Sequence, residues 1–351
     1  MGINNLNKIL KRHAPECYVE VHLYKYAFER IAIDTSLFVY KYKTIFGEKW
    51  LNAFINMICC LRKNDIHPVF IFDSKAPPEK LEEQQTRRAQ RQKIVDKLTA
   101  LENDLDTYKQ TGTISDLMQE ICNKDKPSHP RLLTKGIFDE NIILTKIEKL
   151  KLQTISISSE DFDKVKELFK VFQVPYYDAT TEAEATGAYL SRTGRVVGVL
   201  TSDTDVLAYG VTKFITSLNI SKETCTEIDM NDLLTTLDMT QSQFTDMCIM
   251  CGTDYNKNIP RIGPVKSYNL IKQFKSIDEI AEKTVYDTNI LNYKRVRQLF
   301  TFPNDYFTTQ IPFCKSPDFN KVQEFLFVNN CKVHINYIEK CFNCLPLKFI
   351  N

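Results

Sequence analysis

Four short apolar runs that each end on or beside an aspartate set the strongest limit on what this chain can become. They are RIAID (30–34), PVFIFD (68–73), VPYYDA (174–179) and VVGVLTSD (196–203); a fifth, KFITSL (213–218), follows. Runs of β-branched and aromatic residues of this length read as strands, and near-continuous hydrophobicity reads as strands covered on both faces. Helical patterns separate most of them, as in WLNAFINMICCLRK (50–63) and EDFDKVKELFKVF (160–172). Strands alternating with helices predict an α/β fold, a mostly parallel twisted sheet flanked by helices on both faces. Sheets of this kind bind ligands beyond the carboxyl ends of their strands, which is where these acids fall.

Composition adds limits rather than a function. A hydrophobic content of 43% over 351 residues can bury a substantial core. The 46 Lys and Arg nearly cancel the 44 Asp and Glu, leaving +2, so any case for a nucleic-acid partner must rest on local basic patches. The 11 cysteines are an odd number and some lie within apolar runs, which predicts free thiols in a reducing compartment. The segment MGINNLNKIL is too polar for a signal peptide, and no apolar run approaches the ~18 residues of a membrane span. The expectation is a soluble intracellular protein without membrane association. Nucleus, cytoplasm and a viral replication site all stay open, because no clear nuclear import run occurs.

Four segments follow from changes in pattern. Residues 1–74 and 156–240 carry the strands. Residues 75–155 form a polar helix (79–105) followed by the mixed stretch TGTISDLMQEICNKDKPSHPRLLTKG, whose composition suits a mobile or inserted region. Residues 241–351 look helical, punctuated at GTD, NIPRIGP and FPND. No internal repeat or low-complexity tract is present.

Seven acids belong to the expected sheet edge: Asp34, Asp73, Glu182, Glu184, Asp203, Asp205 and Asp254. Glu182/Glu184 and Asp203/Asp205 are spaced i, i+2, which in an extended segment directs both carboxylates to one side. Converging carboxylates repel one another unless cations lie among them, and hard oxygen donors suit Mg²⁺ or Mn²⁺. Two such ions ~4 Å apart can activate water and stabilise a leaving oxygen. The competing reading is structural. Thr181 with Glu184, and Ser202 with Asp205, both fit a capping box that opens a helix, and single acids after strands are common turn residues.

Longer stretches carry a resemblance. MGINNLNKIL with IAIDTSLFVYKY, FIFDSKAPPEK, VPYYDATTEAEATGAYL with GVLTSDTDVLAYG, and CIMCGTDYNKNIPRIGPVKSYNLI resemble, in order, the motifs of the flap endonucleases of the XPG family. They cover most of residues 1–280. The resemblance implies a PIN-like 5′ nuclease fold with a helical arch and a helix-hairpin or helix-two-turn-helix DNA-binding subdomain. It implies a structure-specific 5′ flap endonuclease with 5′–3′ exonuclease activity on branched or flapped DNA, using two Mg²⁺ that Mn²⁺ can replace. Asp34, Asp73, Glu182 and Glu184 would serve mainly one ion, and Asp203, Asp205 and Asp254 the other.

The same resemblance assigns further roles. Lys80 matches a lysine that holds the scissile phosphate, and its arginine partner is either Arg87 or Arg88, because KAPP carries one extra residue. Arg87, Arg88, Arg91 and Lys93 form a basic run without an acid from 84 to 95; the plain reading is a solvated helix face, the family reading a DNA contact. Residues 256–277 hold five basic residues and no acid. There Arg261, Gly263, Lys266, Lys272 and Lys275 are candidate duplex contacts, with free amides after Gly263 for a phosphate and a K⁺ ion implied by the resemblance. Tyr40 matches a tyrosine that stacks on a base, although a core aromatic would look the same, and Gly2 matches a glycine beside the family's active site.

The chain also departs from that pattern. The segment between Asp34 and Asp73 is shorter than in cellular flap endonucleases and the arch is longer, with 110–140 as the addition, so a bubble- or four-way-junction-cutting branch of the family, as a dimer rather than a monomer, is an alternative; a non-catalytic DNA scaffold is another. Gln323, Glu324, Phe325 and Leu326 do not complete a sliding-clamp box. CIMC (248–251) reads as buried helix, whereas Cys331, His334, Cys341 and Cys344 read either as a zinc set or as part of an amphipathic helix.

Overall fold

The computed structural model describes residues 2–124, 138–303 and 305–343. The chain divides into two compact units, residues 1–81 with 158–351, and residues 82–157.

The first unit is built on a seven-stranded sheet of order β1-β7-β6-β5-β2-β3-β4. Its centre is β2 (Arg30–Asp34), flanked in parallel by β3 (His67–Phe72) and β5 (Gly198–Leu200). β4 (Tyr176–Asp178) and β6 (Lys213–Asn219) extend the parallel array outwards. β7 (Thr224–Asp229) and β1 (Val19–His22) complete one edge in antiparallel pairing. All five expected strands form, and the parallel register sets Asp34 level with Ile71. β1 and β7 have no counterpart in the sequence reading. VEVH and TCTEID are short and half polar, and they become strands only by pairing with each other and with β6.

The period of two divides each central strand between two faces. On one face Phe70 stacks on Phe169 with ring centroids 3.9 Å apart, and Phe54 packs beside both. These rings bring α3 (Trp50–Lys63) and α7 (Ser159–Val171) onto the sheet. On the other face lie Ala32, Val69, Ile71 and Val199, covered in part by α8 (Ala183–Arg192). A Cβ at Gly187 of α8 would stand 3.1 Å from Val199 Cγ1, so the missing side chain lets this helix approach the sheet closely. That approach fixes where the acids at the start of α8 sit.

Other helices of this unit are α1 (Leu6–His13), α2 (Thr35–Phe46), α9 (Asp205–Ala208), α10 (Met230–Leu237), α11 (Gln241–Cys251), α12 (Pro264–Phe274) and α13 (Ile277–Lys283). They are followed by α14 (Tyr293–Leu299), α15 (Phe319–Val328) and α16 (Ile335–Phe342). Cys341 lies on the buried side of α16 against Cys59 of α3, and His334 is exposed at the helix start. Cys344 lies outside the described residues. The ten described cysteines are free thiols, and among the described residues no helix is long and apolar enough to cross a membrane.

The second unit comprises the long helix α4 (Leu81–Thr111) from Glu82 onwards, α5 (Asp116–Lys124) and α6 (Glu140–Gln153). Part of the stretch read from composition as mobile or inserted is therefore helical. Met118 and Ile121 of α5 join Leu101, Leu105, Ile143 and Ile147 in a small separate core, which is what orders it. The remainder of that stretch, 125–137, lies outside the described residues.

Candidate active site

Each candidate acid is delivered by a strand end or a helix start. Asp34 closes β2 and caps α2: its Oδ1 accepts the Leu37 amide at 3.2 Å while Oδ2 accepts the Thr201 hydroxyl at 3.0 Å. Asp73 follows β3, and its Oδ1 accepts the Ala183 amide at 2.9 Å, which places the third strand's acid on the first turn of α8. Asp203 follows β5 and accepts the Asp205 amide at 3.0 Å.

The i, i+2 pairs do not lie in extended segments, as the spacing suggested. Glu182 is the N-cap residue of α8 and Glu184 lies in its first turn; Asp205 is the first residue of α9. Neither expected capping box forms, since Glu182 and Thr204 occupy the N-cap positions without side-chain cap bonds. Convergence comes instead from two helix starts meeting the ends of β2, β3 and β5.

The electrostatics record that convergence. Burial, then Asp73, pushes the Asp34 carboxyl up to about 8, against the Leu37 and Thr201 hydrogen bonds that lower it. Glu184 rises well above the carboxylate range through burial and then Asp34, Asp203, Asp73 and Glu182. Asp205 rises through burial and then Asp203 and Asp254. The acids thus form two overlapping sets, one around Asp34, Asp73 and Glu184 and one around Asp203, Asp205 and Asp254.

Lys80 stands among them. Its Nζ pairs with Glu182 and lies 3.2 Å from Asp254 Oδ2. Burial opposes its charge, but Glu182, Asp254 and Glu184 prevail and hold it above an ordinary lysine. No group of three or more His, Cys, Asp or Glu side chains among the described residues is set to hold a metal ion as folded. The donor set nevertheless suits a hard cation: it is all oxygen, and Asp205 Oδ1 and Thr204 Oγ1 are buried without a hydrogen-bond partner among the described residues. Gly2 closes another side of the site. Its φ is +86°, and a Cβ there would stand 2.6 Å from Thr204 Oγ1 and closer still to Asp203 Oδ1.

Two tyrosines escaped the sequence reading. The Tyr255 hydroxyl donates to Glu182 Oε2, and Tyr209 OH lies 2.9 Å from Tyr255 OH. Both are buried. Tyr255 directly follows Asp254, and that adjacency was the available signal.

The basic candidates divide by what they touch. Tyr40 is 41% exposed on α2, not part of the core. Arg261 and Lys266 are exposed, and α12 opens at Gly263 with Pro264 in its first turn, no side chain capping its amides. Lys275 is exposed at the end of α12. Lys272 instead donates to the Leu237 and Asp238 carbonyls, at 3.0 and 3.2 Å, and caps α10. In the second unit, Arg87 pairs with Glu83 at 2.8 Å, whereas Arg88 and Lys93 are exposed. Arg91 Nη2 donates to the Thr154 and Ile155 carbonyls at the end of α6.

An acid-lined edge on a mostly parallel sheet, with helices on both faces and a lysine inside the cluster, defines a PIN-like nuclease. The XPG N-terminal domain matches residues 1–94 and the XPG I-region matches residues 173–254. A probable RAD2-like endonuclease of Invertebrate iridescent virus 3 is 33% identical, over 92% of this chain and 91% of its own length. One from Invertebrate iridescent virus 6 is 36% identical, over 86% and 79%. Flap endonuclease 1 of Scheffersomyces stipitis is 28% identical, over 80% and 69%. Among solved structures, the catalytic core of Rad2 in complex with DNA substrate superposes with a TM-score of 0.65 at 18% identity, covering 97% of this chain and 99% of that one. Flap endonuclease-1 from Methanococcus jannaschii gives 0.59 at 21% identity, covering 93% and 96%. The chain belongs to the XPG family of structure-specific nucleases.

Proposed function

We propose that this chain is a Mg²⁺-dependent 5′ flap endonuclease with 5′–3′ exonuclease activity, hydrolysing DNA phosphodiesters near junctions between single strand and duplex. The observation that carries this reading is the ammonium of Lys80 between Glu182 and Asp254, beside the partnerless oxygen of Asp205. Asp34, Asp73, Glu182 and Glu184 would hold mainly one divalent ion, and Asp203, Asp205 and Asp254 a second. Bound there, Mg²⁺ or Mn²⁺ supplies a more acidic water and neutralises developing charge on the phosphate.

The side chains of the chain do the rest. Lys80 leaves its carboxylates to donate to a non-bridging oxygen of the scissile phosphate, and Arg88 or Arg87 adds a bidentate guanidinium fork. Tyr255 keeps Glu182 oriented. Tyr40 stacks on a base beside the cut, and Gly2 closes the pocket next to Asp203. Arg91 and Lys93 extend the basic face of the arch helix, although Arg91 already caps α6. Arg261, the amides after Gly263, Lys266 and Lys275 grip duplex phosphates, with Lys272 bracing the element from within; a K⁺ ion at this segment belongs to the same reading. The chain works as a monomer on branched or flapped DNA.

The test is incubation with Mg²⁺ and a panel of single-flap, double-flap, bubble and four-way-junction DNAs, with the cuts mapped. Cleavage near the base of a 5′ flap is expected. Preference for bubbles or junctions would move the chain to another branch of its family, and binding without cutting would make it a scaffold.

A further inference from the structure

The segment from Met1 to Pro15 contains no acidic residue, as residues 256–277 contain none. The fold brings these two acid-free segments together. α1 buries Leu6, Ile9 and Leu10 and packs against α12, and the His13 ring stacks on Tyr268 with centroids 4.1 Å apart at 22°. Asn4 is tied to the Gly252 carbonyl at 3.0 Å, which fixes the other end of the segment just before the loop of Asp254.

With one face of α1 buried, Lys8, Lys11 and Arg12 are left exposed on the other. Their spacing, i, i+3 and i+4, aligns them in a single stripe. None of the three has an acidic partner among the described residues; Lys11 lies only over the Tyr18 ring, 5.6 Å from its centroid. On the neighbouring helix Lys266 is likewise exposed, and Arg261 is exposed in the turn before it. Lysine and arginine in a last turn also stabilise a helix through its dipole, which offers a structural reason for Lys11 and Arg12. It offers none for Lys8, which lies a turn earlier, and it does not explain why an acid-free helix stacks on the acid-free helix α12.

We propose that α1 is a second duplex-binding element, whose Lys8, Lys11 and Arg12 contact backbone phosphates of the same DNA duplex that α12 grips. The occupant follows from charge: a cationic stripe with no acidic partner among the described residues, adjoining a cationic turn and helix N-terminus, fits a regularly spaced polyanion. The contacts go to phosphates, so they are independent of sequence and depend on salt. This inference rests on the reading of α12 as a duplex anchor.

The experiment is a salt titration of flap-DNA binding, in Ca²⁺, for three variants beside the unaltered protein: Lys8→Gln/Lys11→Gln/Arg12→Gln, Lys8→Gln alone and Lys266→Gln. Each phosphate contact contributes a slope of roughly 0.9 in log affinity against log salt. The triple variant is expected to lose roughly two to three units of slope and Lys8→Gln roughly one, on any duplex sequence. Lys8→Gln lies outside the last turn, so it still decides the matter if the triple variant is unstable. A lowered slope for Lys266→Gln with unchanged slopes for the α1 variants would overturn the role of α1 and leave the α12 anchor standing. Unchanged slopes in all three would overturn both.

Discussion

Lys80 Nζ lies 3.2 Å from Asp254 Oδ2 while it pairs with Glu182, so a cation already stands among the acids. Lys80→Ala removes that charge and, in the proposed mechanism, a donor to the scissile phosphate. Single-turnover cleavage at saturating enzyme is expected to slow by roughly two or more orders of magnitude, the scale of losing one preorganised donor. Because Arg87 is paired with Glu83, Arg88→Ala should slow cleavage more than Arg87→Ala. Small and equal effects in all three would reduce this stretch to a solvated helix face.

Asp203→Ala and Asp254→Ala should abolish cleavage in Mg²⁺ while flap binding in Ca²⁺ stays near that of the unaltered protein. Asp203 and Asp254 lie close to each other and to Lys80, so in the proposed mechanism they hold the metal and do not grip the DNA. Near-normal cutting by either variant would end the metal-ligand assignment.

The Tyr255–Glu182 hydrogen bond predicts a positioning effect. Tyr255→Phe keeps the ring and removes the donor. Loss of a partner that orients a metal ligand typically weakens metal affinity by roughly 10- to 100-fold. Mn²⁺ binding, followed through the resonance of the free ion, should weaken accordingly, and the rate should recover at high Mn²⁺. Tyr209→Phe, one bond further away, should do less. Equal metal affinity in Tyr255→Phe and the unaltered protein would leave Tyr255 a packing residue.

Stability of the metal-free protein should fall as pH rises. Asp34 is pushed up from 3.8 to about 8, so the folded state retains a proton that the unfolded chain has released. Such a group stabilises fully below the ordinary carboxylate range, and its contribution is lost as pH rises through the folded value. Between about pH 5 and 8 the melting temperature in EDTA should therefore decline more steeply than in Mg²⁺, and Asp34→Asn should flatten the decline. Parallel curves with and without Mg²⁺ would contradict it.

Lys266 and Lys272 should behave differently although they share α12. Lys266→Ala and Lys275→Ala should each lower the salt slope of duplex binding by roughly one unit. Lys272 donates to carbonyls at the end of α10, so Lys272→Ala should lower the melting temperature, with little change in slope. A slope change for Lys272→Ala equal to that for Lys266→Ala would show that the capping bond yields to DNA.

The parts of this protein that local chemistry specifies were legible in its sequence. RIAID, PVFIFD and VVGVLTSD become β2, β3 and β5 because their side chains suit a sheet covered on both faces. Their order along the chain already put Asp34, Asp73 and Asp203 at one edge. Periodicity likewise predicted α3 and α7. The rest depended on partners far away in the chain. β1 and β7 are too polar to be strands except by pairing with each other and with β6. Glu182 and Glu184 at the start of α8 sit where they do because that helix is drawn onto the sheet at Gly187, and Lys80 meets Glu182 across 102 positions. Lys272 and Arg91 look like any exposed cation until the helix ends they cap are in place. Side-chain type and period are properties of a few neighbouring residues and survive in the sequence. Which cation faces a phosphate, an acid or a carbonyl is decided by packing over the whole fold.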